Sequence, residues 1–174
     1  MGILTFQNVG FNITPQPPVG THVAVNLTPI PLQYIGLNLP VEISTASHFR
    51  LPPLNLPLHS IVMMAHFDTG ASITSIDINL AKHLNLLSTG QSEIRTASGP
   101  ETVSTFAIDI SFPNSGLSPF RNLHISSCNL GFDIGKNIEN LNNPRNFGLL
   151  IGRDIMSRWN IVWNGTSSTV IISD

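Results

Sequence analysis

A chain of 174 residues suits one domain with a sizeable core, and only 10% of its residues are charged, against about a quarter in ordinary soluble domains. The net charge of −2 offers no basic field for nucleic acid, and no apolar stretch is long enough to span a membrane. A single cysteine, Cys128, excludes an intrachain disulfide framework and fits a reducing compartment. We therefore expect one domain over residues 1–174, located in the cytoplasm because no signal peptide is seen.

The N-terminal third combines strands with irregular connections. It contains most of the 13 prolines, which interrupt regular structure. Alternation of apolar and polar residues over 21–29 predicts a strand. Residues 33–45 hold two short apolar runs that Pro40 interrupts, and residues 51–60 are Pro-rich and extended. We interpret this region as an elongated first segment of the same domain.

A buried strand and a helix follow. Residues 60–67 (SIVMMAHF) form a continuous apolar run, which is typical of a strand buried on both faces. The spacing of the apolar residues then changes to that of a helix, and Asp77 is its expected N-cap. The apolar positions that share one face of this helix are Leu80, Ala81, Leu84 and Leu87.

The second half consists mainly of short strands. Residues 92–112 predict two strands joined by a turn at Ser98-Gly99-Pro100, and residues 120–127 predict another. The polar, Asn-rich residues 129–146 predict a loop. An apolar strand then breaks at Gly152 into a short helix, and a hairpin turning near Asn164-Gly165 follows. These patterns indicate an all-β fold with one or two short helices.

One carboxylate stands directly after the buried strand, in Asp68-Thr69-Gly70. A carboxylate in such a place is costly unless it is paired or functional. The tripeptide supplies an acid or base, a hydroxyl for a local hydrogen bond, and a glycine that permits a sharp turn. Aspartic proteases need this combination twice. Two neighbouring carboxyls then share one proton, so that one activates a water and the other donates to the peptide carbonyl.

The sequence contains this motif once. The nearest second candidate, Asp133-Ile134-Gly135, lacks the hydroxyl and lies in the polar segment. The second carboxylate must then come from another chain, and a two-fold axis beside Asp68 would supply it. This reasoning predicts a homodimer. An alternative is a structural β-domain in which Asp68 is only a cap or turn residue of a chance motif.

Two segments resemble the retropepsins, the retroviral-type aspartic proteases, and most of all their bacterial relatives. "HFDTGASITSI" is similar to the family's apolar strand, active-site loop and following strand. "GLLIGRDIMSRW" is similar to its second hallmark, in which two apolar residues and Gly-Arg-Asp or Gly-Arg-Asn lead into a helix. The match is specific over residues 61–87 and 147–163 and loose elsewhere.

The resemblance implies a fold and an activity. The fold would be a closed β-barrel or sandwich with one or two short helices and an active site at a two-fold dimer interface. The activity would be that of an aspartic endopeptidase acting on peptide or protein, with no cofactor and no metal. Because function must be argued from the site, a catalytically silent peptide-binding or dimerisation module of the same fold remains the alternative.

The resemblance also assigns roles in the active-site loop. Asp68 would be the catalytic acid and base, and Thr69 would hydrogen-bond across the dimer axis. Gly70 would turn its carbonyl to bound peptide, and Ala71 matches the retroviral-type Ala. Ser72 departs from the Asp that retroviral enzymes often have there.

That departure leaves the partner of Arg153 open, because the family's arginine pairs with the missing Asp. Asp154 or an acid of the other chain would replace it. Gly152, Arg153 and Asp154 are expected to be structural, with Arg153 as a buried cation that braces the loop.

A flap and a pocket complete the implied site. The flap that closes over substrate would comprise Ala97, Ser98, Gly99 and Pro100. The positions that would line subsites beside the scissile bond are His66, Ser75, Gly148 and Leu150. For His66, packing on the face away from the site is an equal alternative. Leu150 and the apolar strand around it would form the walls of a pocket, and Gly148 would leave space in it for a large side chain. The resemblance therefore implies cleavage between apolar residues in extended segments.

Overall fold

The computed structural model describes residues 3–7, 9–11, 22–25, 27–29, 36–52, 57–96, 99–139, 145–164 and 169–174, with side chains from residue 36 onward. The strands are Ile3–Gln7 (β1), Val9–Phe11 (β2), His22–Val25 (β3), Leu27–Pro29 (β4), Asn38–Thr45 (β5), Ser60–Phe67 (β6), Ser75–Asp77 (β7), Ser88–Thr96 (β8), Gly99–Ser111 (β9), Phe120–Cys128 (β10), Phe147–Ile151 (β11), Asn160–Asn164 (β12) and Thr169–Ser173 (β13). The described helices are Ile78–His83 (α1), Ile134–Glu139 (α2), Arg153–Met156 (α3) and a 3-10 turn, Ser47–Arg50. The predicted all-β class is confirmed, with three short α-helices in place of one or two.

Six strands close into a barrel. Their order is β10-β7-β11-β6-β5-β9, and β9 pairs with β10 to complete the circle. Strand β8 pairs with β9 and forms the outer arm of a long hairpin. Alternate residues of the barrel strands fill one core, among them Val41, Ile43, Met63, Ala65, Phe67, Ile76, Ile108, Ile110, Leu149 and Ile151.

Strand β6 is buried on both faces, as its continuous apolar sequence predicts. Met63, Ala65 and Phe67 belong to the core cluster. Met64 is also fully buried, although it points to the opposite face. His66 shares that second face, since side chains two positions apart in a strand point the same way.

A second sheet joins both ends of the described chain. Its order is β12-β13-β1-β3, with β1 antiparallel to β13 and parallel to β3. Val170 and Ile172 of β13 are fully buried in the core. Because β13 is hydrogen-bonded on both edges within one chain, it presents no free edge to a second chain.

Two boundaries in the N-terminal third differ from prediction. The strand expected over residues 21–29 is two strands, β3 and β4, which lie in different sheets. Strand β5 passes through Pro40. The strand tolerates this residue because β9 pairs with β5 only from Glu42 onward, so Pro40 lies outside that ladder.

The helix after β7 is shorter than its apolar pattern. Asp77 caps it as predicted, accepting the backbone N–H groups of Asn79 and Leu80 at 2.8 and 3.3 Å. The helix ends at His83, and Asn85 adopts a left-handed φ of 49°. Leu87 therefore lies beyond the helix and is 46% exposed, which corrects its assignment to the buried face.

The polar segment predicted to be a loop contains α2. Asp133 begins this helix, with its Oδ1 accepting the N–H of Lys136 at 3.2 Å. The side chain of Asn146 holds Asp133 from outside, accepting its N–H and donating to its carbonyl, both at 2.8 Å. The side-chain amide of Asn137 in this helix also donates to the carbonyl of Val62 on β6 at 3.2 Å. Contacts within the segment and with β6 thus hold a helix that its own composition does not predict. No helix among the described residues is long and apolar enough to cross a membrane.

Candidate active site

Asp68 lies in a tight turn at the end of β6. Its N–H donates to the carbonyl of Ile151 at 3.1 Å, which extends the pairing between β6 and β11 into the loop. Its carbonyl accepts the N–H of Ala71 at 3.1 Å, and its Oδ1 accepts the N–H of Gly70 at 2.8 Å. The side chain is partly exposed, and within the described residues it forms no ion pair. Its Oδ2 thus has no hydrogen-bond partner among the described residues, while the backbone around it is fixed.

Residues 152–154, which follow β11, hold the Asp68 loop (residues 68–74) in place. The N–H of Arg153 donates to the carbonyl of Ala71 at 3.0 Å, and the N–H of Gly152 donates to Oγ1 of Thr74 at 3.0 Å. A Cβ at position 152 would lie 2.6–2.8 Å from backbone atoms of Ile73 and Thr74. Only glycine permits this approach, which explains the Gly-Arg-Asp sequence.

Asp154 binds Thr74 and not Arg153. Its Oδ1 accepts the hydroxyl of Thr74 at 2.7 Å, and both carboxylate oxygens accept the Thr74 N–H at 3.0 Å. The prediction that Asp154 replaces the missing ion partner of Arg153 is therefore wrong. The carboxylate is already committed to the backbone and hydroxyl of the neighbouring loop.

Arg153 is exposed in the single chain, so its expected burial as a structural cation would require a second copy and stays a prediction. Its Nη1 donates to the carbonyl of Thr69 at 3.1 Å. It forms no ion pair with the described residues of this chain. Arg153 thus braces the active-site loop through a main-chain oxygen, and its remaining donors face outward beside Thr69 and Gly70, which are exposed as well.

Three of the four expected pocket residues lie side by side. Leu150 is the cross-strand partner of both His66 and Ser75, and Asn38 and Ser126 extend the same row at its two ends. Paired positions point to the same face of a sheet. This row faces away from the core. Its member on β6, His66, lies two residues before Asp68.

Gly148 differs from these three. A Cβ at this position would lie 2.5 Å from Sδ of Met63 and 2.7 Å from Cδ2 of Leu80, both core residues. The space left by its missing side chain is therefore occupied by the core. Leu149 and Ile151 are likewise buried in the core, so Leu150 alone of this strand's last three residues faces the row.

The ring of His66 is held on three sides. Its Nδ1 lies 3.0 Å from Oδ1 of Asn38, and its ring stacks on Phe147 with centroids 4.8 Å apart at 25°. Gly36, with φ +65°, brings its Cα against the ring, since a Cβ there would lie 2.6 Å from Cε1. Burial lowers the pKa of His66, although the negative charge of nearby Asp68 acts to raise it. Sequence reasoning missed the three supporting residues, because they lie far from His66 in the chain, before and in β5 and in β11, and carry no motif.

The candidate flap is the tip of the β8–β9 hairpin. Ala97 and Ser98 lie outside the described residues. Thr96 pairs with Gly99, and its hydroxyl donates to the Gly99 carbonyl at 3.0 Å. Gly99 has φ +121° and Pro100 already belongs to β9, so the chain reverses between Thr96 and Gly99, earlier than the predicted Ser98-Gly99-Pro100 turn.

Other candidate groups are occupied in structural contacts. Asp133, the runner-up acid, begins α2 and pairs with Lys136 at 3.6 Å. Burial raises the pKa of Cys128 to about 11, which removes it as a nucleophile near neutral pH. Among the described residues, no three His, Cys, Asp or Glu side chains come together as metal ligands do.

Comparison with known proteins finds solved structures that are similar over part of the chain. The structure is similar to a retropepsin-like aspartic protease from Rickettsia conorii, at 14% identity and a TM-score of 0.43, over 78% of this chain and 79% of that one. It is also similar to the foamy viral protease-reverse transcriptase (15%, 0.39, 71% of this chain and 12% of that one) and to the Simian Foamy Virus protease (14%, 0.36, 68% and 89%). No family model and no curated protein matches the chain. At these identities the activity has to be argued from the site itself.

Proposed function

We propose that the protein is an aspartic endopeptidase whose active site forms between two copies of the chain, each contributing Asp68. The proposal rests on the surroundings of the Asp68 carboxylate. Its carboxylate is partly exposed, has no ion partner among the described residues, and stands on a backbone fixed by a second loop. A carboxylate held in this way is organised for chemistry at little benefit to stability.

The reaction needs two such carboxyls within a few ångströms, of which one is ionised. The ionised Asp68 takes a proton from a water, and the water oxygen attacks the peptide carbonyl carbon. The protonated Asp68 of the second copy donates its proton to the carbonyl oxygen. When the tetrahedral intermediate collapses, the Asp68 of the second copy, now ionised, takes back a hydroxyl proton and the C–N bond breaks. The first Asp68 gives the proton it took from the water to the leaving amine. Activity is expected to be bell-shaped in pH and highest under mildly acidic conditions.

The exposed loop supports the two-copy arrangement. Thr69, Gly70, Ser72 and Arg153 are exposed in the single chain, and Ile73 is 43% exposed. A low overall charge is consistent with a surface that a second copy covers. The contact we propose therefore runs through the Asp68 loop, with the carbonyl of Thr69 fixed by Arg153.

The substrate would be an extended peptide lying across the row of His66, Leu150 and Ser75, with the β8–β9 hairpin above it. Extended peptides bind by adding main-chain hydrogen bonds, while alternate side chains enter pockets. Leu150 provides an apolar wall next to the scissile bond. The proposal is therefore cleavage in segments with apolar side chains at that bond.

The test compares Asp68→Asn with Asp133→Asn in one assay on a peptide library, with sedimentation equilibrium of each protein. Asp133 is the matched control because it is an exposed Asp followed two residues later by Gly, outside the site. We expect Asp68→Asn to lose at least about a thousandfold in kcat/KM while remaining folded and dimeric, and Asp133→Asn to cleave normally. Cleavage by Asp68→Asn at the wild-type rate contradicts the proposal. Peptide binding without cleavage by every variant, wild type included, supports the silent module.

A further inference from the structure

His66 is an ionisable residue in the row that would contact substrate. It pairs with Leu150 across the strands and lies two residues before Asp68. Asn38, Phe147 and Gly36 fix the ring, so it cannot turn away without breaking a hydrogen bond, a stacking contact and a close backbone approach. The inference that follows rests on the proposed endopeptidase function.

The contact with Asn38 assigns different roles to the two ring nitrogens. An amide oxygen only accepts, so Nδ1 of His66 carries the hydrogen when it faces Oδ1 of Asn38. In the neutral ring, Nε2 is then the acceptor. Nε2 has no hydrogen-bond partner among the described residues. Protonation places a hydrogen and a positive charge on the ring, and Nε2 becomes a donor while the contact with Asn38 is kept.

Within the row, His66 is the residue that titrates near neutral pH, because its described neighbours in the row carry no charge there. Asn38 on β5, Phe147 and Leu150 on β11, and Ser75 on β7 carry no charge between pH 4 and 8. Asp68 is the nearby acid. Glu42, the next acid on this face of β5, lies beside Val62 and accepts the hydroxyl of Ser111 at 3.0 Å, four residues along the strand from Asn38.

We propose that His66 is a specificity-determining residue that changes the preferred substrate with pH at the side chain next to the scissile bond. With the ring neutral, the pocket takes apolar side chains or hydrogen-bond donors. With the ring protonated, it takes an acceptor, and a carboxylate better than an amide, because a charge-assisted hydrogen bond is the stronger one. The desolvated setting of the ring places this change below the ordinary pH range of histidine.

The test uses two peptides that differ only in Glu or Gln at the residue flanking the scissile bond. Between pH 5 and 7.5 the Glu side chain of the peptide stays ionised, so a change in its preference reports on the enzyme. The measured quantity is the ratio of kcat/KM for the Glu peptide to that for the Gln peptide, for wild type, His66→Gln, His66→Leu and His124→Gln. His124 is an exposed strand histidine on β10 and serves as the matched control.

We expect the Glu/Gln ratio to rise roughly fivefold to tenfold in wild type and in His124→Gln as the pH falls from 7.5 to 5. In both His66 variants the ratio should stay flat. Binding of the same peptides to Asp68→Asn, measured by calorimetry, should follow the wild-type ratio. A flat wild-type ratio, or an unchanged rise in His66→Gln, overturns the inference while leaving the endopeptidase function standing. Cleavage that persists in Asp68→Asn overturns the proposed function as well.

Discussion

Thr74 and Asp154 are joined by three hydrogen bonds of 2.7–3.0 Å although 80 residues separate them in the chain. The Thr74 hydroxyl donates to the carboxylate and at the same time accepts the N–H of Gly152. Thr74 is completely buried, so each of these groups depends on the others for its partner. The pair connects the Asp68 loop to α3.

The first prediction concerns this pair. Thr74→Val removes the hydroxyl and leaves the Gly152 N–H without its acceptor, so we expect a loss of about 1–3 kcal/mol in the free energy of unfolding. Asp154→Asn should cost about 1 kcal/mol or more, and the double variant should lose less than the sum. Urea denaturation of the four proteins measures the coupling. Ser157→Ala is the control: at the exposed C-cap of α3 it removes only a 3.4 Å contact with the main-chain carbonyl of Asp154, so it should change stability by less than about 0.5 kcal/mol. Additive effects would contradict a shared network.

The second prediction concerns Gly152. A methyl group there would meet the backbone of Ile73 and Thr74 at 2.6–2.8 Å, and backbone cannot move aside as a side chain does. Gly152→Ala should therefore destabilise the protein by about 3 kcal/mol or fail to fold. Gly135→Ala is the matched control, because its Cβ would meet only the Asp133 carboxylate at 3.3 Å and the position is helical. That variant should be neutral or slightly stabilising. Thermal melts that rank the two in the opposite order would contradict the steric argument.

The third prediction concerns Asp109, which is 1% exposed. Its carboxylate accepts bonds from the N–H groups of Asn122 and Ser47 and from Arg50 and Arg121, the last two at 3.1 Å. Burial alone would raise the pKa of Asp109, but the hydrogen bonds from Asn122, Ser47 and Arg121 and the charge of Arg121 outweigh it and lower the pKa. A lowered carboxyl pKa stabilises the fold above the unfolded value, and that contribution disappears as the pH falls through the folded value.

Asp109→Asn should therefore lose about 3 kcal/mol at pH 7, and its stability should depend less on pH than that of wild type below about pH 4. Denaturant titrations from pH 2 to 7 measure both effects. Asp133→Asn, at an exposed surface pair, should lose little at any pH. An equal acid dependence in wild type and Asp109→Asn would show that other carboxyls govern acid unfolding.

The sequence predicts most of the barrel because its strands carry their own signals. The apolar run of β6, the break at Gly152 and the cap at Asp77 are local patterns, and each is found where it was predicted. What fails depends on distant partners. Asn137 of helix α2 donates to the carbonyl of Val62, 75 residues away, and the partner of Asp154 is a threonine that no charge pattern indicates. The surroundings of His66 are missed for the same reason.

The pairing of the terminal strand also depends on a distant part of the chain, β1. An apolar strand such as β13 is expected to pair with a second chain if its edge is free. Here β12 and β1 take both edges, and Val170 and Ile172 fill the core. Deletion of residues 168–174 would therefore unfold the domain, so it cannot serve as a test of dimerisation. Substitution of the exposed Arg153, which braces the Asp68 loop from α3, tests dimerisation more directly.

The fourth prediction concerns Cys128. Burial, together with the charges of Asp77 and Glu101, raises the pKa of its thiol to about 11, against a smaller opposing effect of Ser75. At pH 8 the reactive thiolate is then scarce. Alkylation by iodoacetamide should be roughly 100-fold slower in the folded protein than in the same protein in urea. Mass spectrometry over time measures the rates. Equal rates in the two states would mean that the thiol is accessible and ionised as in a free peptide.

The interlocked loops around Asp68 also set an order of events in folding. The contacts that Ile151, Gly152, Arg153 and Asp154 make with the loop join positions about 80 residues apart. Such contacts form after local hairpins such as β8–β9, because closing a long loop costs entropy before any contact compensates for it. A newly made chain would thus possess hairpins well before it possesses an organised carboxylate. The proposed peptidase activity would therefore be absent from nascent and partly folded chains. These are also the chains most easily cleaved by a peptidase.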